Sequence, residues 1–301
     1  MSDRGHKRTT NITLHILENA AQMKDVEEIQ RQVWGMDDVV PHHLLLTAAH
    51  NGGLVIAAFD GERMIGFVFG FLGQANTPQG VRLKHCSHML AVLPAYRGQG
   101  IGYALKRAQW QMVRRQGIDL ITWTYDPLMS RNAYLNVTRL GAISNTYLPN
   151  LYGEMQDELN RGLPSDRLQV ELWVNSSRVR NRMSKTPRRK LDLAHYLSAG
   201  AQIINPSRLE ADGWPHPSEP PASPQETAQA GDALCLLEIP SDFLALKAHS
   251  PGLALAWRLH TRALFQSLFA RGYLVTDFVY LRGEHPRSFY VLSDGERTLG
   301  E

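Results

Sequence analysis

HMLAVLPAYRGQGIGYALKRAQWQMVRRQ, residues 88–116, decides the fold. It opens with an apolar run ending at Val92-Leu93-Pro94, passes through Tyr96-Arg97-Gly98-Gln99-Gly100-Ile101-Gly102, and continues as an amphipathic stretch. Ile101, Leu105, Ala108 and Met112 recur at intervals of four, three and four residues, the spacing of one helix face. Gly117 stands where a helix stop is expected. The stretch therefore predicts strand, glycine-rich turn, helix. Such a turn leaves several backbone N–H groups converging at the positive end of a helix dipole. That is a site for an anion, pyrophosphate above all. Glycine removes the Cβ that would block close approach of the phosphates, and Arg97 adds a permanent positive charge at the entrance.

Working outward, ITLHIL (12–17) alternates as a strand, and Met23, Val26, Ile29 and Val33 mark a helix face. Pro41 opens a short helix that Asn51-Gly52-Gly53 ends. LVIAAF (54–59) and MIGFVFGFL (64–72) flank the hairpin signal Asp60-Gly61. The strand leading into the glycine turn begins at Val81, and DLITWTY (119–125) follows the turn's helix as another strand. Ser130 caps a helix that Gly141 stops, and 142–148 and 167–174 are two last strands. The order β-α-α-β-β-β-α-β-α-β-β occupies residues 12–174.

Beyond it, residues 176–190 carry Arg178, Arg180, Arg182, Lys185, Arg188, Arg189 and Lys190. They are expected to form a solvated tether, with a clamp for an acidic partner or phosphate as the functional alternative. No aromatics interleave these charges, so nucleic acid is the weakest option. A short helix is expected over 191–201, and the proline-rich 205–232 reads as a linker. Residues 233–301 form a small α+β unit: a strand at 233–239, a long helix at 251–270, and strands at 273–281 and 288–292. Its size predicts docking on the first domain or on a second subunit, which leaves a homodimer open.

The glycines at 98, 100 and 102 do not fit the dinucleotide spacing, and no Lys-Ser/Thr pair follows as a P-loop requires. Arg97, Gly100 and Gly102 instead resemble the coenzyme A pyrophosphate loop R/Q-x-x-G-x-G/A of the GNAT (GCN5-related N-acetyltransferase) superfamily, as does the flanking Val92-x-Pro94-x-Tyr96. The element order is also that of the GNAT fold. The resemblance implies an α/β protein (an α+β mixed sheet), a GNAT acyl-CoA N-acyltransferase domain with a smaller C-terminal α+β domain. Acetyl-CoA or another acyl-CoA would be its co-substrate. The diphosphate would lie on Arg97, Gly98, Gln99, Gly100, Ile101 and Gly102, with Asn132 also contacting the coenzyme. The pantetheine arm would enter between 81–93 and 119–125 and pair with backbone near Val92, where an N–H polarises the thioester carbonyl.

Direct attack by an amine needs a base for the ammonium and an acid for the leaving thiolate. Strict alternation puts Cys86, His88, Leu90 and Val92 on one strand face and His85, Ser87, Met89 and Ala91 on the other, which makes His88 the first base candidate. Relatives place a tyrosine four residues before the glycine ending the fourth helix; here that position is Val137. Tyr147 or Tyr152 is left to substitute, or direct protonation by water. The acceptor site is expected around Pro41-His42-His43 and 148–157, where Glu154 and Asp157 suit a substrate ammonium or the base role. The acceptor is expected to be a small amine or amino acid. A coenzyme A-binding module that no longer transfers is the rival, favoured by Val137.

Composition narrows the class. The 301 residues are 43% hydrophobic and 20% charged, an ordinary globular balance, and a net charge of +3 is too small to argue for nucleic acid. The two cysteines, Cys86 and Cys235, lack any zinc spacing, so no metal is expected and a reducing cytoplasm is the predicted location. The N-terminus lacks a signal-peptide core, and the apolar run 64–73 is about half of a membrane span, so no membrane contact is expected.

Overall fold

The computed structural model describes residues 12–35, 39–77, 80–155, 161–184, 191–218 and 234–295. The expected N-terminal lead-in, Asp157, the basic residues from Lys185 to Lys190 and most of the proline-rich stretch lie outside the described residues. The chain forms two compact units, Met1–Ile121 and Thr122–Glu301. This division differs from the break after residue 174 that composition suggests, because strands 120–173 share a sheet with strands near the C-terminus.

In the first unit, β1 (Ile12–Ile16), β2 (Leu54–Asp60), β3 (Arg63–Thr77) and β4 (Gly80–Val92) form an antiparallel sheet in sequence order. Helices α1 (Ala20–Trp34) and α2 (His42–His50) bury Met23, Val26, Ile29 and Leu45 against one face, with Val55, Phe67, Phe69 and Ala91. Helix α3 (Ile101–Arg115) buries Ile101 and Leu105 against the other, with Ile56, Ile65 and Val68. Both sheet faces are covered, which is why β2 and β3 read as apolar runs rather than alternating strands. No helix among the described residues is long and apolar enough to cross a membrane.

One feature of β4 departs from strict alternation. Phe69 pairs with Met89 but the next residue, Gly70, pairs with Ser87. His88 is thus the extra residue of a β-bulge, and the bulge reverses the facing of everything before it. Leu90 and Val92 lie on the α3 face, yet so do His85 and Ser87, which both bond to α3 side chains. The predicted grouping of Cys86 with Leu90 and of Ser87 with Met89 is therefore corrected. Gly70 is required here by space, since a Cβ on it would lie 2.2 Å from His85 Nε2.

The second unit holds most of β5 (Leu120–Tyr125) and all of β6 (Ile143–Leu148), β7 (Arg167–Trp173), β8 (Gln202–Ile203), β11 (Leu234–Ile239), β12 (Tyr273–Leu281) and β13 (Arg287–Asp294), in the sheet order β5-β7-β6-β12-β13-β11-β8. The antiparallel pairing of β12 with β6, Val275 opposite Ser144, joins the C-terminal strands to those before them. Helix α4 (Ser130–Ala133) runs into a π-helical turn over Tyr134–Arg139, where Leu140 N–H donates to Leu135 O at 2.9 Å.

The basic stretch is not a free tether over its described part. Ser176 caps α5 (Ser177–Met183), accepting from Val179 N–H. Arg178 donates to Gly141 O and Arg182 to Val137 O and Thr138 O, so these cations satisfy the open carbonyls at the end of the π-helical turn. Past α6 (Leu193–Ser198), the described part of the proline-rich stretch is likewise ordered. There β9 (Arg208–Leu209) pairs with β10 (Pro215–His216). Two further helices, α7 (Phe243–His249) and α8 (Pro251–Ala270), precede β12, and Trp257 Nε1 of α8 donates to Pro215 O at 2.7 Å. Composition did not announce α7, β8 or the β9–β10 pair, because short elements held by tertiary contacts leave little periodicity.

Candidate functional site

The glycine turn has the geometry an anion needs. Gly98 and Gly100 hold φ of 81° and 83°, and Gly100 is the N-cap of α3. Nothing lies within 4 Å of a Cβ built on either, so left-handed backbone rather than crowding demands glycine, and the space before the turn is open. The amides of Gly98, Gln99, Gly100, Ile101 and Gly102 donate to no group among the described residues. Exposed Arg97 ties the turn to the end of β4, its Nε–H donating to Val92 O at 3.1 Å. These five amides open on one helix N-terminus, an arrangement that suits an anion.

His88 sits beside the rings of Phe69 and Phe71, with centroids at 6.2 and 5.9 Å, and its nitrogens have no hydrogen-bond partner among the described residues. The ring edge is exposed, while the surrounding aromatic carbon lowers its pKa by desolvation. It is therefore biased toward the neutral, proton-accepting form. In the same unit, Glu27 accepts from the backbone N–H of His42 and lies 2.8 Å from its Nδ1, so the predicted acceptor segment at Pro41-His42-His43 is fixed by a carboxylate on α1.

Behind β4 lies a buried polar cluster that no motif disclosed. Lys106 Nζ donates to Ser87 Oγ at 2.8 Å, Ser87 Oγ–H donates to Gln109 Oε1 at 2.8 Å, and Gln109 Nε2 lies 3.1 Å from His85 Nε2. Burial pushes Lys106 down to about 7, and burial together with the lysine charge pushes His85 down to about 3. The available signal was a lysine and a glutamine, three residues apart, next to Leu105 on the face of α3 that points inward.

In the second unit, Asn132 is exposed on α4 and Val137 is fully buried, so the position expected for a thiolate acid is a core position. Tyr147 donates to Asp166 Oδ2 at 2.7 Å and is buried, which raises its pKa by desolvation first and by the neighbouring carboxylate second. Its hydroxyl proton is committed to Asp166. Tyr152 is half exposed; its hydroxyl lies 3.1 Å from Thr124 Oγ1 on β5, and the Arg167 guanidinium stands over its ring at 5.3 Å. Glu154, two residues on, is exposed and forms no hydrogen bond or ion pair with another described residue. Asp166 is the hub of this region. It takes both Nε and Nη2 of Arg262, the Tyr147 hydroxyl and the Asn150 N–H. Burial opposes its ionisation, but these donors outweigh burial and hold its pKa below the usual carboxylate value.

Comparison with known proteins bears on this geometry. Residues 50–137 match the family described as acetyltransferase (GNAT) domain, a stretch running from the end of α2 into the π-helical turn. The search of curated proteins finds no match. Similar solved structures include the ribosomal-protein-S18-alanine N-acetyltransferase of Escherichia coli, 16% identical with a TM-score of 0.43, covering 55% of this chain and 96% of that one. Arabidopsis thaliana NAA60 in complex with acetyl-CoA is 15% identical with a TM-score of 0.43, covering 54% and 99% respectively. Ard1 from Thermoplasma volcanium is 16% identical with a TM-score of 0.41, covering 55% and 99%. The matched stretch contains the glycine turn and its open amides, and over residues 50–137 the chain is similar to the acetyltransferase (GNAT) domain family.

Proposed function

We propose that the protein is an acyl-CoA-dependent N-acyltransferase that moves an acetyl or other short acyl group to the amine of a small molecule or amino acid. The observation that carries this is the set of five unpartnered amides from Gly98 to Gly102 on the N-terminus of α3. They would take the coenzyme diphosphate, with Arg97 adding charge and Asn132 a further coenzyme contact. Backbone at Val92 would align the thioester arm and polarise its carbonyl. His88 would take the proton of the acceptor ammonium. The freed amine would attack the thioester carbon, the C–N bond forming as the C–S bond breaks. Tyr152 would give a proton to the thiolate and regain one as the new amide nitrogen sheds its excess proton, and Glu154 would hold the incoming ammonium.

Thiol release from acetyl-CoA and longer acyl-CoAs, measured against amines, amino acids and short peptides with free N-termini, tests the proposal. Turnover with a small amine or amino acid is expected; preference for peptides would overturn the acceptor class, and no turnover with any pair would overturn the enzyme. Val137 in the core favours a second reading, a coenzyme A-binding module without transfer. Acyl-CoA binding by calorimetry without turnover would select it.

A further inference from the structure

We infer that Arg262, on α8, is a positioning residue for Tyr152 within the second unit; this rests on the transferase reading above. The connection is continuous. The Arg262 guanidinium forks onto Asp166, with Nε to Oδ2 at 2.8 Å and Nη2 to Oδ1 at 2.7 Å. The same Asp166 Oδ1 accepts the N–H of Asn150 at 2.9 Å. Asn150 has φ 47°, the one left-handed residue other than glycine among those described. Asparagine is the L-residue that takes up this conformation most readily, its short amide bonding nearby backbone, as Asn150 Oδ1 does with Ser165 N–H.

From that turn the chain is gripped on both sides. Leu151 N–H donates to Ser165 O at 3.1 Å, Tyr152 N–H to Ser165 Oγ at 2.9 Å, and Ser165 Oγ–H to Gly153 O at 2.8 Å. Asn150 Oδ1 in turn accepts from Ser165 N–H at 3.2 Å. The outcome is an exposed tyrosine on a short backbone held at four points, its hydroxyl beside Thr124. One helical turn earlier, Arg258 makes an equivalent fork onto Asp126, just past β5, at 2.8 and 2.5 Å. Two arginines at i and i+4 of α8 thus fix both chain segments that carry Tyr152 and its partner Thr124.

Hydrogen exchange and steady-state kinetics on the full chain test this. In Arg262→Gln, the amides of Asn150, Leu151 and Tyr152 are expected to exchange at least about tenfold faster while those of β12 and β13 keep their protection. Turnover is expected to lose about tenfold in kcat with the KM for acyl-CoA unchanged, and Arg262→Lys to recover part of it. Tyr152→Phe combined with Arg262→Gln should cost no more than the larger single loss, because both act through one group. Arg287→Gln, which breaks a comparable fork onto buried Glu238 at 2.7 Å, serves as the stability control and should leave kcat intact. Unchanged exchange at residues 150–152 in Arg262→Gln, or additive losses in the double variant, would overturn the inference. A wild type inactive on every substrate pair would overturn the transferase reading alone, and the exchange result would then decide whether Arg262 holds Tyr152.

Discussion

Lys106 Nζ lies 2.8 Å from Ser87 Oγ inside the first unit, an amine buried at the contact of α3 with β4. Burial holds its pKa near 7, against 10.5 for an ordinary lysine. Between those values the unfolded chain binds the proton and the folded chain does not, so stability rises with pH across that window and is lost as pH falls toward 7. At one pKa unit per about 1.4 kcal/mol the change amounts to a few kcal/mol. Urea midpoints measured from pH 7 to 10 should therefore climb in the wild type and stay nearly flat in Lys106→Met. A wild-type midpoint that does not move would show that the amine is charged in the fold.

The left-handed backbone at Gly98 and Gly100 makes a separate forecast. Gly100→Ala forces a Cβ onto φ 83°, costing about 1–2 kcal/mol of stability. It also tilts the amides that face the open space. Coenzyme A affinity by calorimetry should fall about tenfold or more, with Arg97→Ala producing a similar loss through charge. Undiminished affinity in both variants would place the coenzyme elsewhere.

His88 supplies a pH signature. Its pKa is lowered by desolvation, so the proton-accepting form persists below the ordinary histidine value of 6.5. The acidic limb of kcat/KM is expected below pH 6.5. His88→Ala should remove that limb and lower kcat/KM about a hundredfold at neutral pH. A limb that survives the substitution would assign the base to another residue.

Arg182 and Asp277 form a buried pair at 3.1 Å, with 4% and 13% of their side chains exposed, and Tyr196, Thr138 and the Phe278 N–H also donate to the carboxylate. Arg182→Met strands Asp277 and should cost about 3–5 kcal/mol in urea unfolding. Asp277→Asn should cost less. The Asp277 pKa is lowered, burial opposing and Arg182 prevailing, so its share of stability is present above the ordinary aspartate value and is lost as pH falls below it.

The order of the first seven strands and four helices was legible because each element carries its own periodicity or its own stop signal. The turn at Arg97–Gly102 was legible because left-handed backbone leaves glycine as its trace. The facing of His85 and Ser87 was not, since a bulge depends on which residue of β3 stands opposite. Gly70, an isolated glycine inside an apolar strand, was the available hint. Val137 is buried in the core, and the π-helical turn around it has no signature in residue type. Asp166 and Arg262 stand 96 residues apart, and an ion pair across that distance leaves no local pattern. Arg178 and Arg182 misled for the opposite reason: a run of like charges looks solvated, yet both cations close the end of a helix.

The Val275–Ser144 pairing governs how the molecule must be made. During synthesis β6 leaves the ribosome long before β12 exists, and until then one edge of that strand has no neighbour. The anchors that Asp126 and Asp166 require, Arg258 and Arg262, also arrive late in translation. Everything from β1 through α3, by contrast, has its partners early. A chain ending before α8 would thus leave that edge of β6 unpaired and Asp126 and Asp166 without their arginines.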